Sequence, residues 1–199
     1  MSRSRIFDTL IKALRVLPAT GPKSAQRMAY HLLQHDRAGA KALADALTHA
    51  LDNIQHCRCC NTFTDNEVCE ICADEARRQN VLMVVQMPAD IDSMEQARCH
   101  DGVYFVLMGQ VNPAQDMDLS AIALDKLVKR LQESDIEEII LATNFTAEGD
   151  ATAYVLSELL KNQPYKLSRL SRGMPLGGEI EYIDAGTLAQ AVYHRNHLK

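Results

Sequence analysis

From Ile6 to Leu17 apolar residues return at helical spacing, at Leu10, Ile11, Leu14 and Leu17. Pro18, which offers no backbone N–H and crowds the turn before it, stops that run. A second helix is expected to start near Pro22. Its apolar stripe is Ala25, Met28, Ala29, Leu32 and Leu33, while Lys23, Arg27 and His31 recur every fourth residue on another face. A third helix, from about Ala38 to Gln55, lines up Leu43, Ala46, Leu47, Ala50, Leu51 and Ile54, a stripe that must pack on the first two helices or on a second subunit.

Beyond Asn80 the period shortens, and β-type runs alternate with helical ones. Strands are predicted at Val81 to Val85, Val103 to Met108, Glu138 to Ala142 and, weakly, Tyr165 to Leu170. Helices are predicted at Ile91 to Arg98, Leu119 to Leu131, Ala151 to Lys161 and Thr187 to Arg195. Repeated βα units imply a mostly parallel sheet covered by helices on both faces. A glycine-rich loop is expected from Gly173 to Gly186, with a short alternating strand within Gly177 to Asp184.

With 199 residues and 47% hydrophobic content, the chain can bury one good core plus a smaller satellite. No apolar run approaches membrane-spanning length. A net charge of −5 argues against a protein that coats nucleic acid indiscriminately. That average hides an asymmetry: residues 1–56 carry eight Lys and Arg against four Asp and Glu, so the remainder carries −9. The split suggests a basic, phosphate-facing end joined to an acidic end that meets something else.

Between those ends stand two CxxC pairs, Cys57 with Cys60 and Cys69 with Cys72, at a spacing that lets four thiolates close one tetrahedral zinc site. Four protein ligands leave no position for water, so such a zinc is structural. Disulfides, buried apolar cysteines and an iron–sulfur cluster are the competing readings, and the ligand spacing favours zinc. The CxxC register leaves Cys59 a spare thiol, with His56 also within reach, and Cys99 far along the chain a free one. Arg3 and Arg5 precede an apolar stretch broken by Asp8 and Lys12, unlike a signal peptide, so the expected compartment is reducing and cytoplasmic.

The run from Leu17 to Ala25 joins two helices and resembles a helix-hairpin-helix motif. The second helix begins with unpaired backbone N–H groups at its positive dipole end, which suits a phosphate. Gly21, Lys23 and Arg27 are the candidate DNA-binding residues, making contacts that position nucleic acid without reading its bases. An ordinary helical hairpin with a solvated basic face is the alternative. A nucleotide P-loop is excluded, because its glycine and lysine spacing is absent and no strand precedes the segment.

The run from Ile139 to Asp150 resembles the strand-to-turn segment of a Toprim domain. In catalytic Toprim enzymes that turn carries two aspartates two residues apart for magnesium, and the first strand ends in a glutamate. Here Asn144 and Thr146 take the aspartate places and Gln86 the glutamate place. Magnesium needs charged oxygen ligands to offset its dehydration, so two-metal phosphoryl chemistry is not expected and no catalytic residue is assigned. Glu148 and Asp150 remain as candidates for an acidic partner-binding surface, the alternative being two solvated acids at a helix start. The acidic stretch Gly177 to Asp184 lacks a matching P-loop and is given at most a subunit contact.

Taken in order, these parts are similar to the RecR family of bacterial recombination mediators over essentially the whole chain. The most specific stretches are Gly21 to Ala29, the four cysteines, Pro88 to Ile91, Tyr104 to Gly109, Ala142 to Asn144 with Glu148 and Gly149, and Gly173 to Glu181. Ala19 stands where a hairpin glycine is usual, Phe145 where a proline is, and Gln86 where relatives often retain glutamate. The resemblance implies an α+β chain of several parts: a helix-hairpin-helix region for DNA binding and oligomerisation over residues 1–56, a four-cysteine zinc finger over 57–79, a degenerate Toprim domain over 80–173, and a glycine-rich loop, short strand and terminal helix over 174–199. It further implies a non-catalytic, nucleoid-associated DNA-repair factor with one structural zinc per chain. Such a factor forms a ring-like tetramer, binds single- and double-stranded DNA, partners RecO and in places RecF, and helps load RecA onto single-stranded DNA coated by its binding protein. A surviving magnesium-dependent nuclease or primase, and a zinc-stabilised scaffold without DNA affinity, are the rival classes.

Overall fold

The computed structural model describes residues 4–114, 118–171, 173–175 and 177–193, and the chain divides after Ile54 into two compact units. The first is a three-helix unit of α1 (Arg5–Leu14), α2 (Pro22–Gln34) and α3 (Arg37–Asn53). Helix α1 ends before the expected stop at Pro18 because Arg15, Val16 and Leu17 each donate to a carbonyl three residues back, a tightening common at helix ends. Ala19 takes the left-handed turn, at φ 59°, and Gly21 leads into α2 with Pro22 at its first position. Ala25 and Ala29 are the buried residues of α2, small enough for α1 to approach closely, and Phe7 meets Tyr30 at 4.9 Å between ring centroids. Asp36 caps α3 by accepting from the Gly39 N–H at 2.7 Å. Helix α3 has no buried residue, and Leu47 and Leu51 are 57% and 84% exposed, so its apolar stripe is not consumed by the other two helices.

In the second unit, β1 (Gln55–His56) and β2 (Phe63–Thr64) form an antiparallel ribbon, and α4 (Glu70–Ala73) follows the third cysteine of the two CxxC pairs. Then come β3 (Arg78–Val85), α5 (Pro88–Ala97), β4 (Gly102–Val106), α6 (Leu124–Gln132), β5 (Glu138–Ala142), α7 (Ala147–Leu160), β6 (Lys166–Arg169) and α8 (Ala185–Tyr193). Strands β3 to β6 build one parallel sheet in the order β4-β3-β5-β6. On one face Leu82, Val84, Phe105, Ile139 and Leu141 pack against Leu127 and Leu131 of α6 and Leu156 of α7. On the other, Met83, Val85, Tyr104 and Val106 pack against Ile91 of α5 and against Ile71 beside the cysteines. Both faces are therefore covered, as near-continuous apolar strands require.

Further expectations change, among them that Gln55, predicted in the third helix, opens β1, and that β3 and α5 each begin three residues before their predicted starts. The helix predicted over Leu119 to Leu131 divides into a 3-10 turn (Leu119–Ala121), capped by Asp118, and α6. The break lies where the Ala123 N–H is diverted to the Leu107 carbonyl at 2.8 Å. Helix α7 starts four residues earlier than predicted, at Ala147, because the Thr146 side chain accepts from the Gly149 N–H and caps it. Within Gly177 to Asp184 the structure has a 3-10 turn (Ile180–Tyr182) in place of the expected strand, with no strand among the described residues to pair with it. The last positions of the helix predicted to reach Arg195 lie outside the described residues.

Opposite the carboxyl ends of the strands, Arg77 pairs with Glu95, which accepts a 2.6 Å hydrogen bond from the Tyr104 hydroxyl. Burial and the Glu95 carboxylate push the Tyr104 phenol well above its usual range, so it stays a donor that ties α5 to β4. No described helix is long and apolar enough to cross a membrane.

Candidate functional site

The candidate residues form three groups, one within the helical unit and two within the second unit. In the helical unit, Gly21 is the residue before α2 and Lys23 and Arg27 follow within its first two turns. The two basic side chains are exposed and one turn apart, hence about 6 Å along the axis on the same side of the helix. A methyl added at Gly21 would meet nothing, so the approach to the first N–H groups of α2 is open. The geometry can hold successive phosphates by charge and by those N–H groups.

The second group is a metal centre. One ligand atom from each of Cys57, Cys60, Cys69 and Cys72 lies within 4.8 Å of all the others, and the Cys60 and Cys69 sulfurs are 3.5 Å apart. Tetrahedral zinc at its ordinary Zn–S distance spaces its sulfurs by about 3.8 Å, so the four thiols already stand as one coordination sphere. Cys59 is outside this group, and His56 uses Nδ1 on the Asn61 carbonyl at 2.9 Å. Local backbone bonds set the cage: Asn61 N–H to the Cys57 carbonyl, Ala73 N–H to the Cys69 carbonyl, and Cys69 N–H to the Cys57 sulfur at 3.3 Å. Hydrogen bonds from Cys60 and Cys72 draw the Cys57 thiol far down. Cys60 is pushed up by its bond to Cys57 and by burial, and Cys72 by its bonds to Cys57 and Cys60 and by burial. A cation bound among the four sulfurs would compensate their charge, so thiol protons leave as it binds.

The third group is the Toprim face, at the carboxyl ends of β3 and β5. Gln86 is buried, its Oε1 accepting from the Asn144 N–H at 2.9 Å and its Nε2 donating to Gln110 Oε1 at 3.0 Å. Thr146 serves as the cap of α7, and Thr143 donates to the Gly149 carbonyl at 2.9 Å. Gly149 admits no side chain, since a Cβ there would stand 2.0 Å from the Asn144 carbonyl oxygen. Of the three carboxylate places, the side chains of Gln86 and Thr146 are engaged in holding the turn, and Asn144 contributes its backbone N–H. Glu148 and Asp150 sit in the first turn of α7, where the helix dipole favours them. Asp150 accepts from Arg169 at 2.6 Å, and that guanidinium lies 4.9 Å from the Phe145 ring.

Similarity to known proteins covers the same parts. Family models match as the helix-hairpin-helix of RecR over residues 7–51, the four-cysteine zinc finger domain of RecR over 54–74, a Toprim domain over 80–171 and the C-terminal part of RecR over 173–196. The chain is 65% identical to the Recombination protein RecR of Neisseria meningitidis serogroup C, over 97% of this chain and 94% of that protein. The chain belongs to the RecR family. A second relative, the Recombination protein RecR of Chromobacterium violaceum, is 53% identical over 98% of both chains. The RecR zinc-finger match falls on the cysteine cage, and the cofactor there is a structural zinc ion. The Toprim match spans the parallel sheet, including Gln86, Asn144 and Thr146.

Several residues central to these places carried no signal along the chain. Gln110 meets Gln86 across 24 positions and Lys126 meets Asn61 across 65, separations at which no local period operates. Within the stretch Pro88 to Ile91, Asp90 accepts from the N–H groups of Gln86 and Met87. That motif closes the turn after β3.

Proposed function

We propose that this RecR-family chain is a non-catalytic, DNA-binding recombination mediator. The observation that carries the reading is the pair Lys23 and Arg27, exposed one turn apart at the open amino-terminal end of α2. Contacts of this kind favour DNA in any sequence, single- or double-stranded. A ring-like homotetramer would point several such hairpins at one hole and so hold DNA despite a net charge of −5. The exposed stripe of Leu43, Leu47 and Leu51 on α3 supports self-association, since a face of that kind calls for a covering surface.

The partners in this reading are RecO, in places RecF, and RecA, which the complex helps to load onto single-stranded DNA coated by its binding protein. Glu148 and Asp150 supply the acidic surface for a basic partner. A non-enzymatic role is supported by Gln86, whose amide fills the glutamate place with a neutral group hydrogen-bonded through both its oxygen and its nitrogen.

The test is a DNA titration at several salt concentrations. Lys23→Ala and Arg27→Ala are expected to weaken binding alike on unrelated sequences, and each to flatten the salt dependence by about one unit of log–log slope. Unchanged affinity in the double variant would remove the hairpin as the DNA site.

A further inference from the structure

An edge strand leaves one row of N–H and C=O groups without a neighbour. Strand β4 is the outer strand beside β3, and its open side is met by the zinc loop. The Val106 N–H donates to the Cys60 carbonyl at 2.8 Å, and the Val106 carbonyl accepts from Asn61 Nδ2 at 2.8 Å. The side-chain amide of Asn61 thus stands in for the backbone N–H of a neighbouring strand. Its Oδ1 accepts from Lys126 Nζ, on α6, at 2.8 Å. Asn61 is 3% exposed and sits at φ 62°, a region that asparagine tolerates better than most residues. Its own N–H closes on the Cys57 carbonyl at 2.9 Å.

A residue directly after one zinc ligand therefore holds another ligand's backbone, the sheet edge and a core helix at once. We propose that Asn61 couples zinc binding at the four cysteines to the outer edge of the Toprim sheet. The metal fixes Cys57 and Cys60, the cysteines fix the loop, and Asn61 turns that order into a pairing for Val106. Asn61 is a positioning residue and does not touch the ion. Release of the zinc loop would expose the edge of an uninterrupted apolar run, Val103 to Leu107, the kind of strand that pairs with other chains.

Amide hydrogen exchange and chelator-driven zinc release from the full-length, zinc-loaded protein test the coupling. Stripping zinc from the wild type is expected to speed exchange at Val106 by roughly tenfold or more, while Val84 and Leu141 in the inner strands keep their protection. Asn61→Gly keeps the left-handed backbone, and Asn61→Asp keeps the Lys126 contact without an N–H for Val106. Both are expected to release zinc roughly ten- to a hundredfold faster, with Val106 exchanging faster even when zinc is bound. Arg58→Gln removes an exposed ion pair with Glu67 on the same loop and is expected to behave as wild type. Wild-type release rates in both Asn61 variants overturn the proposal, as does unchanged Val106 protection, or loss of protection throughout the sheet, in the stripped wild type. Where neither Asn61 variant folds, the stripped wild type decides.

Discussion

Gln86 Oε1 accepts a hydrogen bond from the Asn144 N–H at 2.9 Å, joining the carboxyl ends of the two central strands of the Toprim sheet. A glutamate and a pair of aspartates there would need a cation between them; Gln86 needs none, because its other end donates to Gln110. Melting temperature is therefore expected not to move with millimolar magnesium, and DNA to stay uncut at any magnesium concentration. Gln86→Leu strands the Asn144 N–H and Gln110 together and is expected to cost about 1–3 kcal/mol in denaturant unfolding. A magnesium-dependent rise in melting temperature, or cleavage, would restore the enzyme reading.

The cage geometry makes a sharp distinction between neighbouring thiols. Cys60→Ser removes one of four converging sulfurs and is expected to lower zinc content and solubility together. Cys59→Ser changes a residue outside the group and is expected to retain one zinc per chain. Metal analysis of the two purified variants checks both, and zinc lost with Cys59 but kept without Cys60 would reverse the register.

Glu148 stands half-buried in the first turn of α7, while its neighbour Asp150 is held by Arg169. Under the partner reading, Glu148→Lys places a positive charge against a basic surface and is expected to weaken the RecO complex at least about tenfold. Zinc content and DNA affinity are expected to stay near wild type. A titration with RecO showing undiminished affinity would leave Glu148 a helix-start acid and nothing more.

Ala19 holds a left-handed backbone at φ 59°, a conformation that costs a residue with a Cβ about 1 kcal/mol. Ala19→Gly is expected to stabilise the hairpin by roughly that amount in denaturant unfolding. A destabilised variant would show that the turn gains more from a stiffer unfolded chain than it loses to strain.

Much of the site was legible because its logic is local. The CxxC pairs encode two tight loops within four residues each, and Pro22 and Gly21 mark the start of α2 by the conformations they permit. The loss of carboxylates at positions 86, 144 and 146 was likewise visible, since charge is a property of the residue alone. Boundaries were less secure. The start of α7 depends on whether Thr146 turns its hydroxyl to the Gly149 N–H, and the break before α6 depends on Leu107, a residue of another segment.

Residue types and their spacing along the chain determined that this protein has a basic helical end, a four-thiolate zinc site and a βα sheet with Gln86, Asn144 and Thr146 in the carboxylate places. Tertiary structure alone decided what replaces the missing ligands and what the zinc loop is joined to. Gln86 with Gln110, Asn61 with Val106 and Lys126, and Asp150 with Arg169 are pairs made by folding distant segments together. Their hydrogen bonds depend on a few tenths of an ångström in three dimensions, and no period in the chain records that distance.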